Sequence, residues 1–394
     1  MLFGENLARI RAAREYTQEA LAQASGVSVD TISRLERGTH DRARRGTLQA
    51  LANALGVDST RLLGMAAPEQ DTTGADQLRR AVHALDLPDQ AEPDDVPPID
   101  ELRDAASTAW RDYLAGRHAE LLAGLPALMV DTRRAVSALT DDRRAEAAGL
   151  LATSYRLTAG LAGRIGLTDL AAHSAHRALD VARHTSRPDL DEAAALRYFA
   201  WVLVRQGDLA GAERLAVQTA ARLDAGLMSR PDLDTAAVFG ALMMNAASAA
   251  ARQGNSGGSD DHVAVARAAA VRSGRDTSAE AGVFGPRVAG MQAVDSAVRS
   301  GRPDDALRLA GHVPDATGPV PAFWESGHRI HLAAACADLG HWNDVLEHLV
   351  EAAKIAPQWS RVQPLGRTIA QQVIEQRARR TGRLAFVADH YGTT

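Results

Sequence analysis

The stretch QGDLAGAERLA, Gln206 to Ala216, decides how most of this chain folds. Gly207 stands in a short turn between two helical patterns, with Ala200 seven residues before it and Ala212 five after. The same frame recurs around Gly166, Gly254, Gly301 and Gly340, so the five glycines are spaced by 41, 47, 47 and 39 residues. Seven before them stand Ala159, Ala200, Ala247, Val294 and Ala333, and five after stand Ala171, Ala212, Ser259, Ala306 and Val345. Small side chains at those offsets let antiparallel helices approach closely beside their turn, and a recurring period marks a stack of helical hairpins. Strand signals are absent, whereas stretches with helical periodicity run for about 15 to 25 residues. The expected fold is all-α, helix after helix from about Ile99 to Tyr391. NSGGSDDH, Asn255 to His262, departs furthest from the frame and predicts a late start for the helix after Gly254.

QGDLAGAERLA and LGHWNDVLEHLVEAAKIAP (339–357), the second with Pro357 after its second helix, resemble the tetratricopeptide repeat. The period exceeds that family's usual ~34 residues, so the helices are longer or irregular. The resemblance implies a right-handed helical solenoid whose first helices line a concave groove. On that stripe, nine residues before each glycine, stand Leu157, Tyr198, Asn245, Gln292 and His331. Six before stand Gly160, Trp201, Ser248, Asp295 and Ala334, and two before stand Arg164, Arg205, Arg252, Arg299 and Asp338. Polar residues stacked repeat over repeat in alanine-rich helices form a candidate ligand-facing column: Tyr198, Trp201, Arg205, Asn245, Ser248, Arg252, Gln292 and His331. A peptide or small-molecule effector would find Tyr198, Trp201, Asn245 and Gln292 around one cavity, with Arg205 and Arg252 at its rim. The competing reading gives the arginines to the helix macrodipole. Asn245, inside LMMNAASAAA, needs a partner under either reading, whether a ligand or a neighbouring helix.

Upstream, residues 66–98 are rich in Pro, Asp and Gly and cannot bury a core. They divide the chain into a unit at 1–66, an acidic linker at 67–98 and the repeat region at 99–394. Ala75 to Leu85 is expected to form one short amphipathic helix within the linker. The net charge of −5 is unevenly spread. Residues 1–66 hold nine Arg against seven acids, or +2, and residues 67–105 hold three Arg against eleven acids, or −8.

The first unit contains TQEALAQASGVSVDTISRLERGTHDRARR, Thr17 to Arg45. Gln18–Ser25 and Val29–Arg37 are two short amphipathic helices meeting at Gly26, a helix-turn-helix pattern whose second member turns Asp30, Thr31, Arg34 and Arg37 outward. With helices at Leu7–Arg14, Thr47–Leu55 and Ser59–Leu63, the unit reads as five helices. TQEALA, SGVS, ISRLERG and TLQALANALGV, in that order, resemble the Xre family of lambda-repressor-like domains. The resemblance covers about one sixth of the chain and implies binding to double-stranded DNA. It places Gln18 against the DNA backbone and gives Ser28 the N-cap of the recognition helix, where it also meets a phosphate. Val29, Asp30, Thr31, Ser33 and Arg34 fall on the base-facing stretch, where an Arg fork suits guanine. Arg37, Arg42, Arg44 and Arg45 track phosphates. Asp30 either accepts from cytosine or holds Arg34 by an i,i+4 pair, and the second role is preferred.

Cys336, the single cysteine, closes no internal disulfide, and the charged N-terminus is no signal peptide. No apolar run is expected to reach the ~20 residues that span a bilayer, so a cytoplasmic protein with no membrane partner is expected. The pairs His173/His176 and His328/His331, and His341 and His348 near Cys336, do not close a metal site. No phosphate loop or nucleophile elbow is present, and neither enzymatic activity nor a cofactor is expected. The plan resembles actinobacterial Xre-type regulators with tetratricopeptide-like C-terminal regions. It implies a transcription regulator that senses an effector and binds a pseudo-palindromic operator as a homodimer, its half-sites one turn apart at about 34 Å. The alternative is a protein-docking scaffold with an autoregulatory DNA-binding head.

Overall fold

All five repeat glycines occupy left-handed backbone, with φ of 88° at Gly166, 90° at Gly207, 81° at Gly254, 70° at Gly301 and 78° at Gly340. Each ends one helix of a hairpin, and a side chain at that φ would be strained. In this computed structural model the described residues are 3–14, 16–38, 43, 45–55, 57, 62, 72–84, 96–229, 232–280, 282–376 and 382–392. Among the described residues the head has the helices α1 (Phe3–Ala13), α2 (Gln18–Ser25), α3 (Val29–Glu36) and α4 (Arg45–Ala54). Helix α5 (Thr72–His83) follows. The hairpins are then α6/α7 (Ile99–Ala115, His118–Ala138), α8/α9 (Asp141–Arg164, Thr168–Ala182) and α10/α11 (Pro188–Gln206, Leu209–Ser229). They continue as α12/α13 (Leu233–Arg252, Ser256–Ser273), α14/α15 (Pro286–Arg299, Pro303–Ala310) and α16/α17 (Ala322–Asp338, Trp342–Ile355). The short α18 (Pro357–Arg361) leads to α19 (Pro364–Glu375) and α20 (Arg383–Tyr391).

The frame that predicts these hairpins is also their packing seam. The ten residues seven before and five after the repeat glycines, from Ala159 to Val345, are all completely buried. A further turn of the same kind stands at Gly116, with φ of 72°, between buried Ala109 and Leu121. Leucine at the second offset hid it from a search for small residues. The helix after Gly254 does not start late: α13 begins at Ser256, two residues past its glycine, as α9, α11, α15 and α17 begin past theirs. Asn255 Oδ1 accepts from the Gly258 N–H at 2.9 Å, a cap that offsets the poor helix propensity of two glycines. A Cβ on Gly258 would lie 2.4 Å from Asn255 Nδ2, so a larger residue there would displace the capping side chain.

Two further expectations are corrected. A short antiparallel ladder, β1 (Thr277–Ser278) with β2 (Val283–Phe284), interrupts the helices between α13 and α14, with Thr277 opposite Phe284. Its anchor is Phe284, fully buried against Gly240 of α12, where a Cβ would fall 2.0 Å from the ring. Two-residue strands leave no alternation to read. Second, α12 is long and apolar enough by length and composition to cross a membrane. It is instead a core helix of the stack, with fourteen of its residues buried.

The linker helix belongs to the repeat region. Leu78, Ala81 and Val82 of α5 are buried in one cluster with Leu121, Leu125 and Met129 of α7. Arg133 of α7 donates to the Ala81 carbonyl at 2.9 Å and to the Tyr155 hydroxyl at 2.7 Å. The beginning of the array also meets its later part. Trp110 Nε1 on α6 donates to the Ser278 carbonyl at 2.7 Å. The Tyr113 ring stands edge-on to Phe323 of α16 at 5.8 Å, and the Arg164 guanidinium lies 4.2 Å from the one ring and 4.3 Å from the other. The Ala119 N–H donates to Gln358 Oε1 of α18 at 3.2 Å.

Candidate functional site

In the head, α2 and α3 are fixed by their ends. Thr17 caps α2, its hydroxyl accepting from the Ala20 N–H at 3.0 Å, and Gly26 closes it at φ 69°. Ser28 caps α3, its Oγ accepting from the Thr31 N–H at 3.2 Å and lying 2.8 Å from Thr31 Oγ1. Such caps contribute about 1 kcal/mol each. Leu21, Ile32 and Leu35 bury the shared seam with Leu7, Ile10, Leu48 and Leu51. Helix α1 crosses the end of α3 so closely that a Cβ on Gly4 would lie 2.1 Å from the Leu35 carbonyl oxygen.

Of the base-facing candidates, Ser28, Asp30, Arg34 and Arg37 are exposed, while Val29, Thr31 and Ser33 are half-buried at the helix edge. Arg34 Nε donates to Asp30 Oδ1 at 3.1 Å, so Asp30 braces Arg34. Arg37 Nε donates to the Ser33 carbonyl at 3.2 Å, which holds its guanidinium at the C-terminal end of α3. Gln18 is half-buried at the start of α2, and its Nε2 donates to Glu36 Oε2 at 2.7 Å. Arg11 Nε donates to Glu36 Oε1 at 2.6 Å and a second nitrogen donates to Oε2 at 2.9 Å, so one carboxylate joins α1, α2 and α3. The hydrogen bond to Glu36 raises the Arg11 pKa, against a smaller lowering by burial. Sequence reasoning missed this clasp, although Arg11 and Glu36 each directly follow a core residue, Ile10 and Leu35. Arg42, Arg44, the side chain of Arg45 and nearly all of the expected fifth helix at Ser59–Leu63 lie outside the described residues. Leu62, which is described, is buried, and its carbonyl accepts from Asn6 Nδ2 at 2.9 Å.

In the array, part of the polar column makes contacts between helices and part within one helix. Asn245 Nδ2 donates to the Arg197 carbonyl of α10 at 2.9 Å, tying α12 to its neighbour. Tyr198 is buried beneath the Arg197 guanidinium, 4.1 Å from the ring centroid. Trp201 packs on Gly163, where a Cβ would lie 2.4 Å from the indole, and Arg205 sits 5.0 Å from its ring. Ser248 and Arg252 are half-buried on α12. Gln292 Nε2 donates to Asp295 Oδ2 at 3.3 Å, while Arg299 and His331 reach Asp295 Oδ1 at 2.7 and 2.9 Å. Burial pushes the Asp295 carboxyl up, but the Arg299 guanidinium and the His331 imidazole outweigh it and hold the group well below the usual carboxylate range.

A cavity of about 540 Å³ opens elsewhere, where α6 faces the 275–280 segment and residues 317–319. Trp110 and Leu114 give it an apolar wall, Arg111 and Arg275 give it positive charge, and Glu280 gives it an acid. None of the eight column residues lines it. Its floor is rigid. Arg156, 2% exposed, donates to Glu280 Oε1 at 2.7 Å and to Asp191 Oδ1 at 3.0 Å. Asp276 accepts from the Thr317 and Arg287 backbone N–H groups, each at 3.0 Å. Burial holds His118 and His390 at about 4 and His328 at about 3, and burial, then Asp344, pushes the Cys336 thiol up to about 11.

Comparison with curated protein sequences finds no match. Among solved structures, a Bacillus thuringiensis PlcR in complex with the peptide PapR7 and DNA is similar at 12% identity, covering 90% of this chain and 98% of that one, with a TM-score of 0.33. At that score the likeness carries no argument about this chain. A family model described as a helix-turn-helix domain matches residues 2–63, and the N-terminal unit is a helix-turn-helix domain.

Proposed function

We propose that this protein is a sequence-specific DNA-binding transcription regulator of the Xre type, working in the cytoplasm as a homodimer. The observation that carries the reading is the outer face of α3: a serine-capped helix presenting Arg34, already braced by Asp30, with Arg37 at its far end. A guanidinium so held is suited to guanine O6 and N7 in the major groove, and Arg37 to a phosphate. Two such heads would read a pseudo-palindrome, because one head reads too short a site for useful specificity. The repeat region is the sensing part, and the cavity beside Trp110 supports an effector the size of a small ligand or a peptide end more directly than the polar column does. The scaffold reading has less support. Exposed large apolar side chains among the described residues are few, Val217, Val265, Val271, Ile355 and Phe386, and they are scattered over α11, α13, α17 and α20.

The test is a binding titration against a duplex selected from a random pool and a scrambled control, at several salt concentrations. Arg34→Ala should cost about 1 to 3 kcal/mol on the selected duplex and little on the control, while Arg37→Ala should weaken both and flatten the salt dependence. Equal losses on both duplexes for Arg34→Ala would remove the base-reading role. Light scattering of the full chain tests the dimer.

A further inference from the structure

The turn of the α16/α17 hairpin differs chemically from the other repeat turns. Four residues before, one after and four after the turn glycine stand Ala162, Leu167 and Leu170 at Gly166, and Leu203, Asp208 and Gly211 at Gly207. At Gly254 they are Ala250, Asn255 and Gly258, and at Gly301 Ala297, Arg302 and Asp305. At Gly340 they are Cys336, His341 and Asp344. The fold brings these three together: the thiol sulfur, an imidazole nitrogen and a carboxylate oxygen all lie within 4.8 Å of one another. Among the described residues no other group of three His, Cys, Asp or Glu converges in this way.

The convergence is built on backbone. His341 is the N-cap of α17, and its N–H donates to the Cys336 carbonyl at 2.9 Å. The Asp344 N–H in turn donates to the His341 carbonyl at 3.1 Å. Cys336 is 3% exposed and fixed in the core, whereas His341 and Asp344 are exposed and free to rotate. Ligand bonds of ~2.0 to 2.3 Å in a tetrahedron put donor atoms about 3.3 to 3.7 Å apart. The donor atoms lie within about 1.1 to 1.5 Å of that spacing, and the two exposed side chains, His341 and Asp344, are the ones placed to adjust. Sequence spacing does not point to Asp344, because it stands one turn into the next helix, and only the tight turn at Gly340 sets it beside Cys336.

We propose that Cys336, His341 and Asp344 form a zinc site, three protein ligands of one sulfur, one nitrogen and one oxygen with the fourth position open to water. This donor set suits a borderline divalent ion and is poor for magnesium or calcium, which take oxygen ligands. On binding, the Cys336 thiol gives its proton to solvent and the thiolate bonds the ion. The ion clips the end of α16 to the start of α17.

The test uses the metal-free full chain titrated with cobalt(II), which reports on thiolate and tetrahedral coordination by absorption. The expected result is one equivalent bound, with a thiolate-to-cobalt charge-transfer band and tetrahedral visible bands, both displaced by one equivalent of zinc. Cys336→Ser should lose the charge-transfer band. His341→Ala and Asp344→Ala, at exposed positions that leave folding intact, should each weaken binding by at least about tenfold, the loss found even for outer-shell partners. His348→Ala should leave the spectrum unchanged. Cobalt bound with no charge-transfer band, or with affinity unaltered in His341→Ala and Asp344→Ala, would overturn the site.

Discussion

The head and the repeat array use polar side chains in opposite ways. In the head, α3 has two buried residues, Ile32 and Leu35, and its Asp30 and Arg34 stay exposed. In the array, α8 buries fourteen residues and α12 another fourteen, so a polar side chain there has a helix for a neighbour and bonds to it. Asn245, bonded to the Arg197 carbonyl of α10, is a case in point, and Arg156 is the extreme one. The difference is one of helix burial. On a short helix with one apolar stripe, a polar residue is available to a partner, whereas on a helix apolar all round it must be satisfied from within the fold.

The sharpest way to break this contrast is Arg156→Ala. It leaves Glu280 and Asp191 facing a void without their cation, and unfolding should become easier by about 3 to 5 kcal/mol, measured by chemical denaturation. A loss within 1 kcal/mol would mean that buried charge in the array is no more structural than charge on the head. Acid provides the second probe. His118, His328 and His390 are kept neutral by burial in the folded chain, whereas the unfolded chain takes up protons below about pH 6.5. Stability is therefore full above that pH and falls as the pH drops toward 4, by roughly 1.4 kcal/mol per unit for each imidazole. His118→Leu should flatten that slope in a melting series, and an unchanged slope would remove His118 from the account. Third, Asn245→Ala removes the bond to the Arg197 carbonyl, which keeps its partner in the α10 ladder, and should cost about 0.5 to 1.5 kcal/mol. Effector binding retained in that variant would fit the cavity beside Trp110, and effector binding lost at unchanged stability would restore the column. The smallest effect belongs to the head. Asp30→Ala breaks an exposed i,i+4 pair and should shift the melting free energy by no more than about 0.5 kcal/mol, while changing discrimination between operators.

The hairpin stack was legible because its signal is local: one glycine and two small residues fix each turn, and all ten of those small positions are buried. The caps at Thr17 and Ser28 were legible for the same reason. The sixth turn was hidden by the single large residue Leu121. Contacts such as Trp110 to Ser278, or Arg164 between Tyr113 and Phe323, depend on the pitch accumulated over several repeats, which no short window of sequence contains. The cavity arises at that junction, so it was out of reach as well. The groove column is a stripe whose residues share a helix face, and the bond from Asn245 to the Arg197 carbonyl, a contact between helices 48 residues apart in sequence, is the part of it that no local pattern shows.

The meeting of α6 with α16 and the 275–280 segment also bears on how the chain acquires its structure. An open solenoid folds as a line of neighbours, and its stability is close to a sum over repeats and their interfaces. Here the first glycine-turned hairpin has partners some 160 to 240 positions downstream, so the long-range contacts carry a loop-closure entropy that neighbouring repeats do not. During synthesis from the N-terminus, Trp110 waits for residue 278, and the Arg164 sandwich waits for Phe323. Removal of α16–α20 should therefore loosen α6 and α7 at the far end of the sequence, and the array should melt as one cooperative body where a linear stack would fray from its tips.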